Sequence, residues 1–281
     1  MSDKINIFTM NVKNFGDGVN KRFWEYIIED DIVQDTNNIH YITTGSIMNC
    51  VNNNSIILGT GFISENSNIK TPHDVISVRG PLTRKKLLNF NIECPENYGD
   101  PLILMPCVYD KYSNIKDNIV GIIPHVVDRK NENYRRLIHI LKREGYIVRC
   151  IDINVGDNYE RLIDNINKCK YIISSSLHGV IMGLVYKKKT IFVEFSNRVI
   201  GGTFKFQDFF QSVNINYENI NKYDKDIMNN IIEIDYKHLI DTGKKLISLI
   251  PFINNERKMF LTKKYEYFYL TSKNEISETE K

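Results

Sequence analysis

The stretch YIISSSLHGVIMGLVYKKKTIFVEF, residues 171–195, decides the fold. Residues 171–173 are apolar and β-branched and read as a buried strand, 179–186 as a helix, and 190–194 as a second strand. A strand, a helix and a strand in so short a span are the signature of a right-handed βαβ unit with parallel strands. Upstream the pattern repeats, with strands expected at 119–123 and 147–153 and helices at 131–143 and 159–167. In the first of those helices Tyr134, Leu137, Ile138 and Leu141 fall at i, i+3, i+4 and i+7, one apolar stripe to lay on a sheet.

The first third of the chain reads the same way. Strands are expected at 5–9, 39–43, 55–58 and 75–78, and helices at 19–28 and 81–88, the latter opened by Gly80 and Pro81. Residues 91–116 carry Pro95, Pro101 and Pro106 with little periodicity and read as a crossing between two units. Closing helices are expected at 205–211 and 236–249, and residues 262–281, polar and charged past Leu270, as a frayed tail. The expected class is therefore α/β, with a Rossmann-like domain over 1–115, a second over 116–261 and a polar tail over 262–281.

Composition narrows the function. With 281 residues, 42% hydrophobic, 25% charged and a net charge of +3, the chain is globular, and no Lys/Arg run offers a footprint for nucleic acid. No apolar span approaches the roughly 20 residues a membrane helix needs, and the start lacks a signal-peptide core, so a cytoplasmic protein is expected. Cys50, Cys94, Cys107, Cys150 and Cys169 are scattered and read as reduced packing residues. No metal motif such as HExxH occurs. Oligomeric state is not legible.

In parallel sheets, ligands sit beyond the carboxyl ends of strands, so chemistry is sought in the loops that follow them. Asn14-Phe15-Gly16-Asp17-Gly18 lets backbone approach a ligand, and Asn14, Gly16 and Asp17 are expected to face an acceptor; a tight turn capped by Asp17 is the bland alternative. Arg79, between a strand and a helix, is either an anion ligand or half of a structural salt bridge. His125 follows a buried strand and either packs or points into a cleft. Ser174, Ser175, Ser176, Leu177, His178 and Gly179 combine small side chains, hydroxyls and helix-end amides into an anion cradle, with His178 able to give or take a proton. His178 is the expected catalytic acid or phosphate partner, and His125 or Asp17 the base.

These loops, together with Gly59-Thr60-Gly61-Phe62, Val78-Arg79-Gly80-Pro81-Leu82-Thr83-Arg84, Tyr98-Gly99-Asp100-Pro101 and Lys205-Phe206-Gln207-Asp208-Phe209-Phe210, resemble in order the polysaccharide pyruvyl transferase family. The resemblance implies a GT-B-like arrangement, two Rossmann-like domains facing across a cleft. It also implies transfer of a pyruvyl group from phosphoenolpyruvate to a pair of sugar hydroxyls, forming a cyclic ketal without cofactor or metal. Leu177 and His178 match the family's Leu-His pair that contacts phosphoenolpyruvate, and Arg79 matches its donor-binding arginine. Some members carry Arg where Ser176 stands here, which leaves one donor-binding charge unaccounted for. Two other readings share the architecture. One is a nucleotide-sugar glycosyltransferase, with Glu194 for the ribose, and the other is a non-catalytic sugar-binding descendant.

Overall fold

The computed structural model describes residues 4–115, 117–217 and 223–277. Two parallel sheets carry it. The first holds β1 (His40–Ile42), β2 (Ser55–Leu58) and β3 (Asp74–Ser77) in that order. The second has the order β5-β4-β6-β7, from β4 (Ile119–Ile123), β5 (Ile147–Cys150), β6 (Tyr171–Ser174) and β7 (Lys189–Phe192). Helices α1 (Phe15–Gly18), α2 (Asn20–Ile28), α3 (Pro81–Asn89) and α4 (Met105–Val108) precede the second sheet. Helices α5 (Glu132–Arg143), α6 (Tyr159–Asn167) and α7 (Leu177–Val185) connect its strands, and α8 (Phe204–Ser212), α9 (Tyr236–Leu249) and α10 (Asn255–Ser277) follow it. The architecture is mixed α/β and consistent with Rossmann-like folds.

Burial explains the second sheet. All five residues of β4 are buried, as expected of a strand covered on both faces, whereas β5 lies at the edge and is largely exposed. The strand expected to reach residue 153 ends as a regular element at Cys150, although the Ile151 N–H still donates to the Ile122 carbonyl at 2.9 Å and Ile151 and Ile153 are buried. On α5, Tyr134, Leu137 and Leu141 are buried against this sheet and Ile138 is partly buried beside them. The expected strand at 5–9 is reduced to isolated parallel bridges, Asn6 with Val33 and Ile7 with Tyr41. Asn6 there uses its amide to donate to the carbonyls of Asp35 and Ile39, so side-chain bonds replace part of a ladder. None of the five cysteines is paired; Cys94, Cys107 and Cys169 are buried, Cys50 is partly buried, and Cys150 is exposed on the edge strand.

Two expectations need correction. Residues 91–116 are not an aperiodic crossing throughout, because Pro101–Leu104 forms a 3-10 turn that runs into α4. Every residue of both is buried, so there is no polar face to generate a period. Residues 262–277 are helical, not frayed: α10 buries Leu261, Tyr265, Phe268 and Tyr269 at helical spacing. Its interspersed charges hide that stripe from a composition reading. At the start of α10, Arg257 reaches back 230 positions, donating from Nε to the Ile27 carbonyl (2.9 Å) and from Nη2 to that of Tyr26, while Nη1 pairs with Glu29 at 2.7 Å. A cation is thus placed on the carboxyl end of α2.

Helix α8 packs on α3 and is pinned there by a buried ion pair. Asp208 accepts from Arg79 Nε at 3.0 Å, from the Thr83 backbone at 2.8 Å and from the Thr83 hydroxyl at 2.7 Å, and both charged side chains are 0% exposed. A Cβ at Gly80 would lie 1.9 Å from the Asp208 carbonyl oxygen, so the approach needs glycine. Removing one partner of such a pair strands the other charge. Asp208→Ala should therefore cost about 3–5 kcal/mol in urea unfolding, whereas Asp31→Ala, which breaks an exposed pair with Lys4, should cost less than about 1 kcal/mol.

Candidate functional site

Strand β4 pairs with β5 on one side and β6 on the other, and the chain leaves β4 toward β5 but leaves β6 toward β7. The carboxyl ends of β4 and β6 flank this switch point, where an open parallel sheet leaves a crevice for a ligand. His125 follows β4, and Ser174 to His178 join β6 to α7. The two loops are laced together. His125 donates its backbone N–H to Ser175 Oγ at 2.8 Å, and that hydroxyl donates to the buried Asp128 carboxylate at 2.8 Å. Ser174 Oγ accepts from the Ser176 N–H at 3.0 Å and lies within donating distance of the Ile123 and Ser176 carbonyls. A Cβ at Gly179 would stand 2.4 Å from that oxygen, so only glycine allows α7 to start here. Ser176 caps α7 without a side-chain bond, and Leu177 is buried beside it.

His178 is 7% exposed and faces residues from the first third of the chain. Its ring lies against Gly16, where an added Cβ would come within 1.8 Å of Nδ1, and its Nε2 is 3.6 Å from Asp100 Oδ2. Neither Nε2 nor that carboxylate oxygen has a hydrogen-bond partner among the described residues, although both atoms are buried. Asp17 belongs to the same cluster; burial raises its pKa, opposed by the charges of His178 and Lys205 and reinforced by that of Asp100. Lys205, 7% exposed at the start of α8, makes no hydrogen bond or salt bridge among the described residues. Burial and the neighbouring Arg79 charge push its pKa down to about 8, against the pull of Asp17. The same burial, with Lys205 nearby, pushes His125 down to about 4, so its imidazole is neutral near pH 7.

Arg79 occupies a different position. Its Nε is bound by Asp208, its Nη1 donates to Ser46 Oγ at 2.7 Å and its Nη2 to the Phe62 carbonyl at 2.6 Å. Each of the three guanidinium nitrogens thus has an acceptor from the protein, and the charge reaches the cluster through the field on Lys205. Asn14 caps α1, its side chain accepting from the Gly16 N–H at 3.2 Å. The geometry therefore gathers His178, Asp17, Gly16 and His125 with the serine loop, and holds Arg79 in the wall behind them.

Asp100 and Lys205 were not singled out as site residues by the sequence. Asp100 precedes a proline and reads as a turn cap, a role it also has, accepting from the Leu102 N–H at 3.0 Å. Lys205 reads as one lysine among many. The available signal was its place among four phenylalanines in Phe204 to Phe210, where a lysine is buried with its neighbours.

The packing of Gly16 on His178 gives a direct check. Gly16→Ala must displace the imidazole, so the His178 ring resonances should shift and stability fall by about 1–3 kcal/mol. Unchanged ring resonances would show that the contact is absent.

Comparison with known proteins places the chain in a family. The family model described as polysaccharide pyruvyl transferase matches residues 35–197, from before β1 to beyond β7. A protein of Acanthamoeba polyphaga mimivirus, designated Uncharacterized protein L143, is 32% identical over 256 residues, covering 87% of this chain and 86% of that protein. No solved structure matches. A family model spanning more than half of the sequence settles the assignment: the chain belongs to the polysaccharide pyruvyl transferase family.

Proposed function

We propose that the protein transfers the pyruvyl group of phosphoenolpyruvate to two hydroxyls of a sugar acceptor, releasing phosphate and forming a cyclic ketal. The observation that carries this reading is the buried cluster in a chain of this family: His178 Nε2 and Asp100 Oδ2, 3.6 Å apart, are buried without hydrogen-bond partners among the described residues, and the charges of His178, Lys205 and Asp100 all act on Asp17. Buried polar atoms left open in this way await a polar ligand. Lys205 would supply the donor-binding charge that Ser176 does not, and the Ser174 to Gly179 loop would receive the phosphate. Arg79 would hold the wall from which that charge is presented.

The chemistry divides among the same residues. The donor's methylene carbon gains a proton and the adjacent carbon, which carries the phosphate, becomes electrophilic. One acceptor hydroxyl adds there, the carbon–oxygen bond to phosphate breaks, and the second hydroxyl closes the ring. Of the two hydroxyl protons, one balances that delivered to the methylene and the other leaves with phosphate or solvent. His178, beside the Asp100 carboxylate, is suited to hold and deliver a proton. His125, neutral near pH 7, and Asp17 are suited to accept one. A GT-B-like arrangement of domains 1–115 and 116–261 and a cytoplasmic location accompany this reading; no described helix is long and apolar enough to cross a membrane.

Calorimetric titration with phosphoenolpyruvate tests the donor. Binding is expected in the wild type and at least tenfold weaker in Lys205→Met; no binding to the wild type sinks the proposal. Affinity should also fall as pH rises above about 8, because the free Lys205 loses its proton there. With an acceptor in hand, His178→Ala should slow phosphate release by about 10²-fold or more.

A further inference from the structure

A second site lies on the other side of the α1 turn. A groove of about 700 Å³ is walled by residues 9–13, Gly18 and Lys21 from the first part of the chain and by 154–158 and Arg161 from the loop between β5 and α6. Its walls are fixed to each other: the Gly156 N–H donates to the Lys13 carbonyl at 2.7 Å and the Phe15 N–H to the Ile153 carbonyl at 3.1 Å. Gly18 permits this contact, since a Cβ there would lie 2.4 Å from the Val12 carbonyl oxygen and 3.2 Å from Gly156. Arg22 closes one rim through Glu160 at 2.7 Å and the Asp157 carbonyl at 3.1 Å.

The lining is positively charged. Lys13, Lys21 and Arg161 face a single carboxylate, Asp157, which leaves an excess of two positive charges. Lys21 has a loose contact with Glu25 at 3.7 Å, while Lys13 and Arg161 make no salt bridge among the described residues. Asn154 adds a buried Oδ1 with no hydrogen-bond partner, an acceptor for a hydroxyl. Two surplus cations suit a phosphate or diphosphate better than a lone carboxylate, and the volume exceeds what a small anion fills. The groove also lies near the candidate site, because Gly18 lines it while Gly16, two residues earlier, packs on His178.

From this juxtaposition we infer that the groove binds the phosphate of a phosphate-linked sugar acceptor, holding its sugar hydroxyls toward His178 and Asp17. The inference rests on the pyruvyl-transfer reading above for the identity of the acceptor, and on the groove alone for the anion. The sugar could be linked through phosphate to a nucleoside or to a carrier of another kind, and the shared chemistry is the phosphate.

The test is calorimetric titration of the full chain and of a Lys13→Gln, Arg161→Gln double variant with inorganic pyrophosphate, uridine diphosphate, glucuronate and phosphoenolpyruvate. The expected result is pyrophosphate binding that weakens at least tenfold in the variant while phosphoenolpyruvate binding stays within twofold. Uridine diphosphate binding tighter than pyrophosphate would support a nucleotide-linked acceptor, and equal binding one recognised through phosphate alone. Absent or unchanged pyrophosphate binding, a preference for glucuronate, or an equal loss of phosphoenolpyruvate binding in the variant would each overturn the inference. If the wild type fails to bind phosphoenolpyruvate but binds pyrophosphate in the groove, the donor assignment fails and the phosphate site stands. Circular dichroism and the thermal midpoint of the double variant confirm that it is folded.

Discussion

The ion pair between Arg79 and Asp208 is the constraint on which the site depends. It joins residues 129 positions apart, with neither side chain exposed, and Asp208 satisfies Thr83 as well. Burying two charges gains little net stability over a well-packed apolar contact, so the value of the pair lies in what it positions. Asp208 and Lys205 are three residues apart on α8, one turn of the same helical face. Fixing Asp208 against α3 therefore turns Lys205 toward the cluster around His178.

That cluster is costly as an isolated arrangement. Lys205 is buried beside another cation, the partly buried Asp17 feels the charge of the buried Asp100, and His125 is kept uncharged by its surroundings. Of these costs, the repulsion between Lys205 and Arg79 is the one that the dianion proposed above would relieve, by giving Lys205 an anionic partner. Dipoles and charges fixed before the ligand binds need no reorganisation during reaction. The serine loop contributes to the same rigidity, because Asp128 and Ser175 lock the ends of β4 and β6 together before any ligand enters.

Much of this was legible in the sequence where local chemistry is self-contained. The spans of β2, β4, α6 and α9 follow from apolar runs and caps, and the Ser174 to Gly179 loop stands out because small residues between a buried strand and a helix have few other uses. Legibility failed where a residue's role is set by distant partners. Arg79 looks the same in sequence whether it grips a ligand or Asp208, and only the fold shows its three nitrogens engaged. Lys205 acquires its character from burial that α8 alone does not dictate. Similarly, α10 was hidden because its aromatic stripe is diluted by lysines and glutamates on the other faces.

The clamp of Arg257 on α2 has a consequence for how the chain is made. The carbonyls of Tyr26 and Ile27 leave the ribosome 230 residues before the guanidinium that satisfies them. At typical synthesis rates that interval is roughly 10 to 50 s. Through it, the apolar face of α2, with Phe23, Trp24 and Ile27, lacks the helix α10 that shares its core. The carboxyl end of α2 therefore receives its capping cation only when nearly the whole chain has been made.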